Sequence, residues 1–284
     1  MFMVILSLND DKENRGIDAL ATVTLAPMEG VVDVYMRDIL TRIGGFDLCV
    51  SEFVRVSQNL FPASVFYNYC PELKQGGKTA AGVPVHVQIM GGEVQVMAEN
   101  AAFVAELGAP GIDINFGCPA KTVNRHDAGA TLLQWPERLH NIVSAVRRAV
   151  EQLDIPVVAN GEIWTPDDYR NCRKISGAEH VMVGRGVIAR PSLGREIAAS
   201  RGNSSQQIMF DWIGILEVIA EYHQLIKAMN NPPRQAGRLK QWIKLLARNY
   251  EEAGPLFMAI RRFDSPDEIL REVELTQERV FRAA

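Results

Sequence analysis

With 284 residues, 47% of them hydrophobic, the chain has enough apolar material for one α/β barrel, alone or with a small appended domain. Its 30 basic and 34 acidic residues leave a net charge of −4, so any case for a nucleic-acid ligand must rest on a local patch. Four cysteines without a C-x-x-C pair argue against a zinc site or a secreted disulfide framework, and point to a reducing cytoplasm and no metal.

The first eight residues are apolar but lack a positive leader and run into the polar stretch 9–16, so residues 1–21 read as a poorly ordered extension. Nothing approaches the roughly 18 apolar residues that span a bilayer. From residue 22, short β-branched runs alternate with amphipathic stretches. Strands are predicted at 22–26, 47–51, 83–90, 111–115, 155–160 and 179–183, with helices at 34–41, 94–107, 136–153 and 165–175. Such alternation implies a parallel sheet with helices outside it.

Polar residues gather where these strands end, at Pro27-Met28-Glu29, Glu52, Gln88, Asn115 to Pro119, Asn160-Gly161-Glu162 and Gly184-Arg185-Gly186. That placement is the pattern of a TIM-type β/α barrel, whose site is built from loops at the C-terminal ends of the strands. Only six strands are found, so residues 22–206 are read as a barrel reduced to six strands. Beyond it, 207–284 reads as a helical bundle domain, with helices at 210–229, 237–252, 255–263 and 266–281. Between 227 and 262 eight basic residues face two acidic ones, and Lys240, Lys244 and Arg248 recur at helical spacing, so a local basic patch exists in an acidic chain.

Glycines after the last two strands suit phosphate, because backbone N–H groups surround an anion only where side chains are small, and Arg185 adds charge. Gln88 shares a strand face with His86 and Met90, and offers both a donor and an acceptor near the rim. A satisfied core amide is the plainer reading of the same residue. Cysteine is usually a small buried hydrophobe, and Cys49, Cys70 and Cys172 fit that role. Cys118 differs, because it follows a strand end between Gly117 and Pro119 in a loop running through Lys121 and His126. His86, His140, His180 and His223 show no metal-ligand spacing.

Taken together, Leu25 to Gly30, Ser51 to Arg55, Val87-Gln88, Asn115-Phe116-Gly117-Cys118-Pro119, Ala159 to Trp164 and Met182 to Gly186 resemble the tRNA-dihydrouridine synthases in order and spacing. Phe53-Val54-Arg55, the Asn-Gly-Glu-Ile-Trp loop and Arg238-Leu239-Lys240-Gln241-Trp242 look most like the C subfamily. The resemblance implies an FMN enzyme that uses NADPH or NADH to reduce a D-loop uridine of tRNA, position 16, to 5,6-dihydrouridine. Hydride would pass from the flavin to C6 of a flipped-out base, and Cys118 would deliver the proton to C5. A thiol suits that transfer because it is mostly protonated at neutral pH. By the same resemblance Pro27, Met28, Glu29 and Gln88 would hold the flavin ring, and Asn160, Gly161, Glu162, Gly184 and Arg185 its ribityl and phosphate. Asn115 would orient the base, and Arg55, Arg238, Lys240 and Arg261 would contact tRNA. The family also implies a cytoplasmic monomer with no DNA or membrane partner.

One departure matters. A complete member has two further β/α units before the strand at 155, which supply a lysine beside the flavin and a histidine near it; here only Glu151 to Asp154 intervenes, and neither residue has a counterpart. Strands 111–115 and 155–160 are therefore expected either to be forced together or to flank a gap with exposed edges, giving weak stability or association with another chain. Three functional readings follow: an active synthase, a catalytically impaired remnant that only binds tRNA, and a flavin barrel for a small molecule, which the basic helices disfavour.

Overall fold

The computed structural model describes residues 3–7, 22–116, 118, 129–150, 157–178, 180–202 and 210–283. In chain order the elements are β1 (Met3–Ser7), β2 (Val23–Leu25), α1 (Val34–Ile43), β3 (Leu48–Val50), β4 (Val54–Arg55), α2 (Ala63–Tyr69), β5 (Val85–Met90), α3 (Val94–Glu106), β6 (Gly111–Asn115), α4 (Pro136–Ala149), β7 (Val157–Asn160), α5 (Pro166–Ser176) and β8 (His180–Val183). Six helices follow: α6 (Arg185–Ala189), α7 (Leu193–Ser200), α8 (Trp212–Ile226), α9 (Pro232–Leu246), α10 (Ala253–Ile260) and α11 (Pro266–Ala283). No helix of the described residues is long and apolar enough to cross a membrane.

The six expected parallel strands are all present. Pairing runs β3-β2-β8-β7-β1-β6-β5-β4, and β3 also pairs with β5, so the ladder returns on itself. β4 merely extends the end of β5, through Val54↔Ile89 and Arg55↔Met90.

The seventh member of the ring corrects, at residues 3–7, the reading of residues 1–21 as a poorly ordered extension; 8–21 lie outside the described residues. Met3–Ser7 is a strand that lies antiparallel between β6 and β7. Its register on β6 runs from Met3↔Asn115 to Ser7↔Gly111, and on β7 it pairs Met3↔Val158 and Val4↔Val157. Strands β6 and β7 are neither forced together nor left flanking a gap. The physical reason is that two strand edges facing each other across a missing segment present unpaired N–H and C=O groups, and a short apolar run can satisfy both.

Register separates the two faces of the sheet. Val23, Leu25, Cys49, Val85, Val87, Ile89, Ile112, Ile114, Val181 and Val183 are all fully buried on one face, toward which α3 packs. On the other face Val50, Val158 and Met182, from three strands, and Ala26, just past β2, pack as one cluster with Leu48 against it, which identifies that face as the barrel interior. His86, Gln88, Asp113 and Asn115 share that inward parity through Val50↔His86 and Gln88↔Asp113.

By contacts the chain divides into two compact units: Met1–Val34, Phe46–Ile163 and Asp167–Gly184 form one, and Tyr35–Gly45, Trp164–Pro166 and Arg185–Ala284 the other. In the second, α9 begins five residues before the predicted 237. Pro232 and Pro233 occupy its first positions and the Asn231 side chain caps it by accepting from the Arg234 N–H at 3.1 Å. A proline pair reads as a break from inside a helix, but it is at home in the first turn, where the missing N–H has no intrahelical partner. Trp242 anchors this unit: its ring meets Tyr222 edge-on at 4.9 Å and its indole N–H donates to the Ile188 carbonyl at 3.0 Å.

Gly45 shows how tightly the start of α7 is approached. At its φ of +91° a side chain is already strained, and a Cβ would lie 2.1 Å from the Gly194 carbonyl carbon. Gly45→Ala is expected to lower stability by about 3 kcal/mol, read as a drop in the urea midpoint at unchanged slope.

Candidate active site

The inward ends of β5 and β6 carry a continuous polar chain. Gln88 Nε2 donates to Asp113 Oδ1; Asn115 Nδ2 donates to Gln88 Oε1 at 3.0 Å; and the Cys118 backbone N–H donates to Asn115 Oδ1 at 3.0 Å. Strand alternation makes this possible, since Asp113 and Asn115 are two apart on β6 and Gln88 lies in register with Asp113. Below it, Ser51 Oγ accepts from the Gln88 backbone N–H at 3.1 Å and donates to the Glu52 carbonyl at 3.0 Å.

Cys118 is pinned on both sides of its backbone. Besides the bond to Asn115, its carbonyl accepts from the Ala130 N–H at 3.1 Å, at the start of the 3₁₀ turn Gly129–Gln134. Its half-buried side chain packs with Phe53 against Met90. Cys49 and Cys70 are buried, as their structural reading requires. Lys121, His126 and the rest of 119–128, with Gly117, lie outside the described residues.

The loop after β2 sits beside these strands. Met28 closes a turn by accepting from Val31 and Val32, both at 2.9 Å, and the Glu52 carboxylate accepts from the Gly30 N–H. A Cβ on Gly184, just past β8, would lie 3.5 Å from Ala26 Cβ and 4.0 Å from Met28 Sδ, so Pro27-Met28 and Gly184 come together. Glu29 is exposed. Only the backbone of Asn160 is described; Gly161 is open, with no atom within 4 Å of a Cβ placed there, and Glu162 holds the left-handed φ of +40°.

Two inward groups carry large and opposite perturbations. Burial pushes the Asp113 carboxyl up to about 7, against a smaller lowering by the Gln88 hydrogen bond, and burial alone takes His86 down to about 4. Asp113 Oδ2 and His86 Nδ1 have no hydrogen-bond partner among the described residues. The unfolded Asp113 ionises near 3.8, so its penalty on the fold is absent below that pH and complete above about 7. For His86 the penalty is absent above 6.5 and grows as pH falls toward 4. Between 4 and 6.5 the two oppose each other. Asp113→Asn removes one side of the balance, and its urea midpoint is expected to fall with acidification over that window more steeply than the wild type's.

In the helical unit the basic candidates are engaged in different ways. Lys240 Nζ donates to the Phe263 carbonyl at 2.7 Å and lies 3.6 Å from Asp264; Arg238 is only 9% exposed. Lys244 sits over Phe257, and Arg248 lies past the end of α9, stacked on Trp164 at 3.5 Å from the ring centroid. Arg185, the first residue of α6, approaches the same ring at 5.7 Å. Arg261 is exposed at the end of α10, while Arg55, in the barrel unit, lies beside Met90. The expected face of Lys240, Lys244 and Arg248 is thus three separately anchored cations.

The model of the dihydrouridine synthase family matches residues 24–153 and 151–256. The chain belongs to the dihydrouridine synthase family. It is 43% identical to a tRNA-dihydrouridine(16) synthase of Pseudomonas putida, over 88% of this chain and 95% of that protein. A tRNA-dihydrouridine(16) synthase of Aquipseudomonas alcaligenes is 41% identical over 84% and 95%, and one of Vibrio cholerae 34% over 92% and 98%.

The two stretches of the family match meet at 151–153, the place where the resemblance implies two further β/α units. The alignment to the Pseudomonas putida protein spans 308 positions, whereas 88% of 284 residues is about 250, so about 58 positions of that synthase face no residue here. That is the length of two β/α units, a complete βαβ unit taking about 30 residues or more. In the ladder β1 stands between β6 and β7, the strands on either side of that junction.

Sequence reading missed Asp113 and Ser51. Asp113 was within reach: in Gly111-Ile112-Asp113-Ile114-Asn115 the two polar residues alternate with isoleucines on a buried strand, which puts Asp113 on the same face as Asn115. Ser51 carried no such signal, because its role is to accept a backbone N–H from another strand.

Proposed function

We propose that the chain is an FMN-dependent oxidoreductase that reduces a uridine of the tRNA D-loop, position 16, to 5,6-dihydrouridine, with NADPH or NADH as reductant. The observation that carries this reading is the half-buried Cys118, its backbone N–H held just past β6 by the carboxamide of Asn115, in a chain 43% identical to a tRNA-dihydrouridine(16) synthase. A tRNA substrate supports a cytoplasmic site of action.

The residues present fit the flavin. Gln88 keeps one N–H and one lone pair beyond its bonds to Asp113 and Asn115, which suits a pyrimidine edge carrying both donors and acceptors. Because Gln88 is wholly buried, contact requires the side chains covering it to move. Pro27, Met28 and Glu29 would border the ring, and the backbone at Asn160, Gly161, Glu162 and Gly184, with Arg185, would hold ribityl and phosphate; the open space at Gly161 leaves room for an anion. Bound FMN supplies the hydride. Cys118 supplies the proton, its backbone fixed by Asn115 and Ala130 so that the thiol returns to one position. Arg55, Arg261 and the α9 cations would contact the tRNA backbone, with Lys240 first releasing Phe263.

About 58 positions of the Pseudomonas putida synthase face no residue here, and this favours a second reading, a remnant that binds tRNA without reducing it. The visible spectrum of the purified protein separates the two. A yellow protein that forms dihydrouridine on unmodified tRNA supports the synthase; a colourless one that FMN does not restore leaves the remnant.

A further inference from the structure

The polar chain from Asp113 to Cys118 has a direction, and its ends set it. Above about pH 7, where Asp113 is ionised, its carboxylate only accepts hydrogen bonds, and a backbone N–H only donates. Between them Gln88 turns its Nε2 to Asp113 and its Oε1 to Asn115, and Asn115 turns its Oδ1 to the Cys118 N–H. Turning either amide over sets donor against donor or acceptor against acceptor at one end.

Asp113 is an expensive way to build a core. It is 0% exposed, and its Oδ2 has no hydrogen-bond partner among the described residues. A buried carboxylate with one bond from a neutral amide costs stability, so stability does not account for the residue.

We propose that Asp113 is a positioning residue for the reduction: by accepting from Gln88 it fixes both carboxamides in the one orientation that holds the Cys118 N–H, and with it the thiol. Asp113 acts through Gln88 and Asn115 and need not touch flavin or substrate. The role rests on Cys118 as the proton donor, but the relay itself is a property of the flavin-free chain and is tested there.

The experiment follows alkylation of Cys118 by iodoacetamide in flavin-free protein, resolved by mass spectrometry from the other three cysteines. Asp113→Leu severs the relay and is expected to speed alkylation of Cys118 about threefold to tenfold, the effect of losing one hydrogen bond. Asn115→Asp places carboxylates on both sides of Gln88, whose single amino group serves only one, and is expected to speed alkylation similarly. Adding Asp113→Asn supplies a donor to Gln88 Oε1. Gln88 then turns over, the carboxylate at 115 accepts from both Gln88 and the Cys118 N–H, and the two Gln88 bonds are restored in the opposite sense while the Cys118 bond keeps its own.

The double variant is therefore expected to return to within about twofold of the wild-type rate, a reciprocal rescue that a merely space-filling Asp113 does not predict. If Asn115→Asp fails to fold, recovery of a folded protein on adding Asp113→Asn counts as rescue. The proposal is overturned if the double variant shows no rescue, or if Asp113→Leu leaves Cys118 alkylation at the wild-type rate. On the loaded enzyme, Asp113→Leu is expected to lower kcat about tenfold with KM for tRNA nearly unchanged; equal kcat also overturns it. Because alkylation needs neither flavin nor tRNA, its outcome stands whether or not the wild type reduces uridine.

Discussion

Deletion of residues 1–8 is expected to abolish cooperative thermal unfolding. Strand β1 forms five residue pairs with β6 and two with β7, and without it both strands become facing edges with a row of unpaired backbone groups. Each lost hydrogen bond costs about 0.5–1.5 kcal/mol, and more where the partner stays buried, against a total stability of about 5–15 kcal/mol for an ordinary domain. Far-ultraviolet circular dichroism on heating checks this: a broad, non-cooperative slope in place of a sigmoid is the expected record, and a truncated chain melting like the full one refutes the structural role of β1. A point substitution makes the same test without shortening the chain. Val4 pairs with Ile114 on one side and Val157 on the other, so Val4→Pro removes an N–H from one of two ladders and is expected to lower the melting temperature. The effect reaches the site, because β6 carries Asp113 and Asn115.

Cys118→Ala is expected to lower dihydrouridine formation by at least about 100-fold, the usual contribution of a positioned general acid, while leaving FMN binding in place. The side chain packs against Met90 and Phe53, and its half-buried methylene contributes little to the core, so the loss is expected in kcat and not in the melting temperature. Cys118→Ser retains an O–H in nearly the same place but is a far weaker acid, and it is expected to fall between the two. Rates on unmodified tRNA under single-turnover conditions measure both. Equal rates for wild type and Cys118→Ala remove the assignment of the acid; a flavin-free Cys118→Ala protein shows instead that the thiol supports the cofactor site.

The repeating parts of the architecture were legible because local patterns encode them. β-branched runs of four to eight residues gave all six parallel strands, and helical patterning gave four of the helices between them but not α2. The inward face of β5 could be read from the alternation of His86, Gln88 and Met90, and the register of β5 on β6 agrees with it. Asn115 and Cys118 were each singled out in the sequence, but the bond between them was not: the structure shows the carboxamide reaching the N–H of the loop it precedes, three residues on across a strand end.

What the sequence could not show were the interactions that join distant segments. Nothing in Met3-Val4-Ile5-Leu6-Ser7 names the two strands it lies between, since strand pairing is decided by which edges remain unpaired when the rest of the barrel has formed, and β6 is more than a hundred residues away. The Lys240, Lys244 and Arg248 spacing is truly helical, yet their partners Phe263, Phe257 and Trp164 come from other parts of the chain and separate what the spacing united. By itself the sequence determined the family, the strand-end motifs and the alternation of β and α units, because each depends on residues close together along the chain. Only the tertiary structure decided that a seventh strand stands between β6 and β7 and that Asp113 stands at the base of the Cys118 relay, because both depend on backbone and side-chain groups satisfying one another across strands.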